Sequence, residues 1–181
     1  MKNQIKVLIS IFTLAGLVAC GGSPTIESDL GVKGAPDWVN EGSQSVDNDD
    51  GRYIYGVAFA PPMNDPSLQT ATADSRARAE LARTVSTYMD STLSDYSASS
   101  GNSATTSIEQ NITSTSQTLL NGSRIKGRWH DKYTGNIYAF AEMDMESLDE
   151  AIAAADKLSP EFKKYYSENA DANFQRFSSA K

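Results

Sequence analysis

A single cysteine, Cys20, and a single histidine, His130, are all that this chain offers of the side chains most used for zinc binding and nucleophilic catalysis. With no second thiol, no disulfide can form within the chain, even in an oxidising compartment. Zinc would have to rest on carboxylates, because one histidine and one cysteine do not complete a ligand set and no H-E-x-x-H stretch is present. Serine hydrolysis lacks a base placed beside a nucleophile, and the G-x-S-x-G elbow is missing. Phosphate-cradling loops and dinucleotide fingerprints are absent as well. The expectation is a protein that is not an enzyme, with no cofactor and no small-molecule substrate evident.

Positive charge is also scarce. Sixteen basic residues face 23 acidic ones, a formal net charge of −7, which argues against nucleic acid as a partner. The acidic run DNDDG at 47–51 superficially resembles a calcium loop. With its glycine at Gly51, however, an EF-hand would begin at Val46 and end at Val57, and neither supplies a carboxylate. An acidic turn before a strand is the simpler reading.

Long apolar runs are missing too. The longest, 7–18, falls short of the roughly 20 residues a membrane-spanning helix needs. It follows Lys2 and Lys6 with no acid before it, the outline of a signal peptide over 1–19. Leu17, Val18, Ala19 and Cys20 look like the lipobox of bacterial lipoproteins, in which the cysteine thiol carries a diacylglycerol and becomes the first residue of the mature chain. An ordinary cleaved signal peptide with an incidental cysteine is the other reading. Several acyl chains on one residue anchor a protein durably where one does so only marginally. Inner-membrane lipoproteins typically carry Asp after the cysteine, so Gly21 points by resemblance to the outer membrane. The expected state is a periplasm-facing protein whose lipid on Cys20 contacts the outer membrane.

Residues 20–35 hold glycine, proline and serine without apolar periodicity and read as a flexible tether spanning about 20 Å. The folded domain is expected over 36–158, starting at PDWV, with an amphipathic helix over 159–181. RYIYGVAFA, 52–60, alternates large side chains (Tyr53, Tyr55, Val57, Phe59) with mostly smaller ones and predicts a strand. Asp65 then caps and Pro66 opens a helix predicted over 66–97. Its wheel gathers Ala71, Ala82, Val85, Met89, Leu93 and Tyr96 on one stripe, with Arg78 intruding. Arg78 is either a buried ligand-binding guanidinium or a packed stem whose head reaches Asp74 or solvent. More than half of 97–118 is serine or threonine, yet Ile108, Ile112, Thr115 and Leu119 recur at helical spacing and predict a helix over 105–121.

Residues 123–144 read as a hairpin closed by a three-residue loop, Tyr133-Thr134-Gly135, with Gly135 left-handed. That loop sets Arg124 opposite Asp144 and Lys126 opposite Glu142, and gathers Ile125, Trp129, Ile137, Ala139, Ala141 and Met143 on the face toward the long helix. Arg124, Lys126, Arg128 and His130 then form a basic stripe. It either meets an anionic partner, such as peptidoglycan, lipid headgroups or another subunit, or is balanced by Glu142 and Asp144. Asp144 or Ser147 opens a further helix, and Pro160 a last one. In that last helix Phe162, Tyr166, Ala170, Phe174 and Phe177 recur at three- and four-residue steps. This aromatic face either closes the core or mediates self-association. The expected fold is α+β: a three-stranded, mainly antiparallel sheet packed on a long helix, with a C-terminal helical extension.

The order of Pro36–Val39, Tyr55–Val57, Arg76–Ala82 and Tyr138–Asp144 in this sequence resembles the Lpp-twenty family of small bacterial outer-membrane lipoproteins. The likeness covers roughly 36–145, and the family's fold is similar to the N-terminal domain of flagellar assembly protein T. It implies an α+β domain, a structural or assembly role in the envelope with self-association or envelope and flagellar proteins as partners, and no known catalysis. A monomeric periplasmic module that binds a protein or peptidoglycan is the alternative.

Overall fold

Pro66 at the first position of a helix needs no N–H partner, and the Asp65 carboxylate accepts the N–H groups of Ser67 (2.8 Å) and Leu68 (3.2 Å), so the long helix starts where its sequence signals it. In this computed structural model residues 31–42, 51–100 and 123–179 are described. Along the chain run a short helix α1 (Asp37–Asn40), strand β1 (Tyr53–Ala60), helix α2 (Pro66–Ser100), strands β2 (Arg124–His130) and β3 (Ile137–Asp144), and helices α3 (Met145–Ala154) and α4 (Pro160–Ser179). The expected helix over 105–121, residues 47–50 and Cys20 with all that precedes it lie outside the described residues.

The sheet has the order β1-β3-β2 and both pairs are antiparallel, so the fold is α+β as expected: one three-stranded sheet on one long helix, followed by a C-terminal helix. At 35 residues α2 is about 50 Å long, roughly twice the reach of eight-residue β1. The sheet therefore covers half of it. Over that half the buried line is Ala73, Ala77, Leu81 and Val85, where α2 closes onto Gly56. The expected stripe was displaced at its start: Ala71 is exposed and Ala82 half-buried. Alanines recur at 71, 73, 77, 79 and 82, and bulk alone does not rank them; the approach of Ala77 to Gly56 fixes which side of α2 meets the sheet.

The other half of α2 is covered by α4. Phe162, Tyr166, Ala170 and Phe174 are all buried, and the rings of Phe174 and Phe162 meet Tyr88 and Tyr96 of α2 at centroid distances of 6.5 Å (Tyr88–Phe174) and 5.3 Å (Tyr96–Phe162). Phe177 packs edge-on against Tyr88 at 5.4 Å. Each large side chain buried this way contributes roughly 1.5 to 3 kcal/mol. The C-terminal helix thus shares one hydrophobic core with the sheet and belongs to the same compact unit, Val32–Lys181. The turn onto it is set by Ser159, whose hydroxyl accepts the Phe162 N–H (3.2 Å). Asp144 rather than Ser147 caps α3, accepting from Glu146 N (2.9 Å). At the other end, Val32 N donates to Asn40 Oδ1 (2.7 Å), so the chain is already tied down four residues before Pro36.

Candidate interaction surface

The faces of the sheet follow from its pairings. Ile54, Gly56, Ala58 and Ala60 of β1 share a face with Met143, Ala141, Ala139 and Ile137 of β3, and this small-residue face lies on α2. Tyr53, Tyr55, Val57 and Phe59 therefore point outward beside Tyr138, Phe140 and Glu142.

On β2 the predicted register fails. Arg124 lies opposite Glu142 and Ile125 opposite Ala141, but Gly127 lies opposite Phe140 and Arg128 opposite Ala139, with a bulge at Lys126 between them. A bulge inserts one residue and reverses the side-chain alternation beyond it. The hairpin loop also differs from the expected three residues: Asp131 N donates to Asn136 O (2.9 Å) and Gly135 N to Asp131 O (2.8 Å). Gly135 is left-handed as predicted, with φ of 73°. The Thr134 hydroxyl, and then the Tyr133 N–H, hold the Asp131 carboxyl below its usual range.

The bulge splits the basic stripe. Arg124 and Lys126 stay on the outer face and reach the Glu142 carboxylate, at 3.3 Å and 3.1 Å, while that carboxylate is only 4% exposed. Arg128 swings to the helix side, where Nε and Nη2 clasp Asp74 Oδ1 and Oδ2 at 2.7 and 2.6 Å. His130 follows Arg128 to that side, opposite Ile137. Trp129 moves the other way: instead of facing α2 it lies on the outer face, its ring 5.5 Å from Tyr138. Asp74 is thereby engaged by Arg128, and Arg78, which the wheel set one turn from it, is half-buried on α2.

The outer face is consequently aromatic at its middle and toward the hairpin, with exposed Arg124 and Lys126 at its other end. Trp38 of α1 covers its middle, 5.5 Å from Phe140, which stacks on Tyr55 at 5.1 Å. Burial, and then the charge of Glu142, push the Tyr55 hydroxyl up to about 12. Toward the hairpin a row of three rings, one from each strand, crosses the sheet: Phe59–Tyr138 at 5.4 Å and Tyr138–Trp129 at 5.5 Å. Trp129 and Tyr138 are half-buried, and Phe59 is 45% exposed.

Three of the four C-terminal aromatics offered as an interaction stripe are not a surface. Phe162, Tyr166 and Phe174 are buried in the core and Phe177 is half-buried against it, because the second half of α2 has no other cover among the described residues. The Tyr166 hydroxyl donates to Asp149 Oδ1 (2.9 Å), and Asp149 also pairs with Arg52, which reaches Asp171 at 3.1 Å. A 540 Å³ cleft opens beside these groups, between Lys163, Lys164 and Ala170. Its arginine and acids are engaged with one another, and Lys163 donates to Ala153 O (3.0 Å), so the cluster ties α3 and α4 to the start of β1.

Among the described residues no group of histidine, cysteine and carboxylate side chains could hold a metal ion, and no helix is long and apolar enough to cross a membrane. The row Phe59–Tyr138–Trp129 escaped the sequence reading because Trp129 reaches it only through the bulge; the alternation in 52–60 was the available signal. No protein-family model and no curated protein matches the chain.

Proposed function

We propose that this chain is a lipid-anchored outer-membrane lipoprotein, facing the periplasm, that serves a structural or assembly role in the cell envelope by binding rather than by catalysis. The observation that carries the binding role is the half-exposed aromatic row across the outer sheet face. Aromatic rings of this kind are enriched at the centre of protein contacts, where they bury much area at little entropic cost. The anchor rests on Leu17–Cys20 and the glycine- and serine-containing tether that follows. The resemblance to the Lpp-twenty family supports an envelope partner, of which a flagellum-associated ring or assembly factor is one form.

With α4 in the core, self-association loses the aromatic stripe that first suggested it. Binding of a different envelope protein by a monomer gains correspondingly.

Photo-crosslinking in intact envelopes tests this reading. A crosslinker at Trp129 is expected to capture an envelope protein, identified by mass spectrometry, while one at Glu146 on α3 captures none. Adducts only with identical chains would favour the assembly form, and equal labelling at both positions would remove the row as the contact. Cys20→Ser is expected to abolish lipid labelling and recovery with outer membranes; retention of both would remove the anchor.

A further inference from the structure

The three large apolar side chains most exposed among the described residues are Phe59 (45%), Leu68 (57%) and Tyr133 (91%), and all three lie at one end of the domain. Phe59 is at the end of β1, Leu68 is in the first turn of α2, and Tyr133 is in the β2–β3 loop. Gln69 holds these elements together, its Nε2 donating to Ala60 O (3.2 Å) and Gly135 O (2.8 Å). Exposed Pro61 and Pro62 complete the apolar end.

Asp65 accepts the N–H groups of Ser67 and Leu68 and Asp131 accepts that of Tyr133, hydrogen bonds that fix each carboxylate and leave its charge in place. Lys132 is exposed beside Tyr133. This end is therefore apolar, with charges of both signs at its edge. Apolar and aromatic side chains suit the bilayer interface, where the rings lie at headgroup level.

We infer that Phe59, Leu68 and Tyr133 seat the domain against the surface of the membrane to which its own lipid ties it. The inference rests on the anchor proposed above: a tether of about 20 Å keeps the bilayer within reach at high effective concentration, so a patch too small to bind membrane alone suffices. Exposed apolar side chains grouped in this way mark either membrane or protein contacts. The bilayer is favoured because the sequence before the described domain holds the proposed anchor and a tether long enough to bring this end to it.

The test uses the full lipidated chain, purified from membranes and reconstituted into phosphatidylethanolamine/phosphatidylglycerol vesicles. An environment-sensitive fluorophore is placed on Asn64→Cys at the apolar end or on Glu146→Cys at α3; Cys20 carries lipid, so each introduced thiol is unique. The label at 64 is expected to brighten several-fold, shift to the blue and be quenched by brominated lipid, while the label at 146 stays aqueous. Leu68→Ser with Tyr133→Ser should remove most of that signal while the protein still floats with the vesicles. An aqueous label at 64 on floating protein overturns the seat and leaves the anchor standing. A signal that disappears as protein is diluted in lipid overturns it in favour of a second copy. A chain that carries no lipid by mass overturns the anchor and this inference with it.

Discussion

At Gly56 a Cβ would lie 2.3 Å from Ala77 O and 2.3 Å from Leu81 N, backbone atoms of α2 that cannot turn aside. Gly56→Ala must push the helix off the sheet, so it is expected to cost about 3 kcal/mol or more, at or above the upper end for overpacked cores, read as a lowered urea midpoint. Tyr55 carries a pH dependence. Its hydroxyl titrates near 10 when unfolded and near 12 in the domain, because burial and then Glu142 disfavour the phenolate. The folded state thus keeps its proton where the unfolded state has lost it, and stability present below pH 10 is lost as pH rises through 12. Burial raises Tyr88 and Tyr166 in the same direction. Tyr55→Phe should flatten the decline between pH 10 and 12 in chemical-denaturation curves; an unchanged slope would assign the decline to the other tyrosines.

Among the elements, the hairpin shows what one inserted residue does. Its strands, its left-handed Gly135 and the helix-facing set Ile125, Ile137, Ala139, Ala141 and Met143 were legible in the sequence. The bulge was not, because R-I-K-G-R-W-H alternates equally well with or without it. A double-mutant cycle separates the two registers: Arg128→Ala and Asp74→Ala should couple by about 0.5 to 1 kcal/mol, the upper part of the range for exposed pairs, since the contact is bidentate. An unbroken ladder would leave these residues on opposite sides of the sheet with no coupling. The same bulge sends Trp129 outward, so the candidate surface exists only in the bulged register.

For the whole molecule, the two halves of α2 need different partners. Ending the chain at Leu158 removes Phe162, Tyr166 and Phe174, and uncovers Tyr88 and Tyr96. At roughly 1.5 to 3 kcal/mol per buried side chain the loss approaches the 5 to 15 kcal/mol that holds a typical domain together. The truncated chain is expected to show no cooperative thermal transition; one that melted like the full chain would mean that α4 is peripheral. The sequence by itself determined the three strands, the long helix with its cap at Asp65, the α+β class and the amphipathic face of the last helix, because each depends on neighbours within a few residues. Only the tertiary structure decided that this face turns inward, that alanines 73 and 77 rather than 71 and 82 meet the sheet, and that the basic residues of β2 divide between Glu142 and Asp74. Those outcomes depend on which distant surface arrives to be covered, and local periodicity carries no record of it.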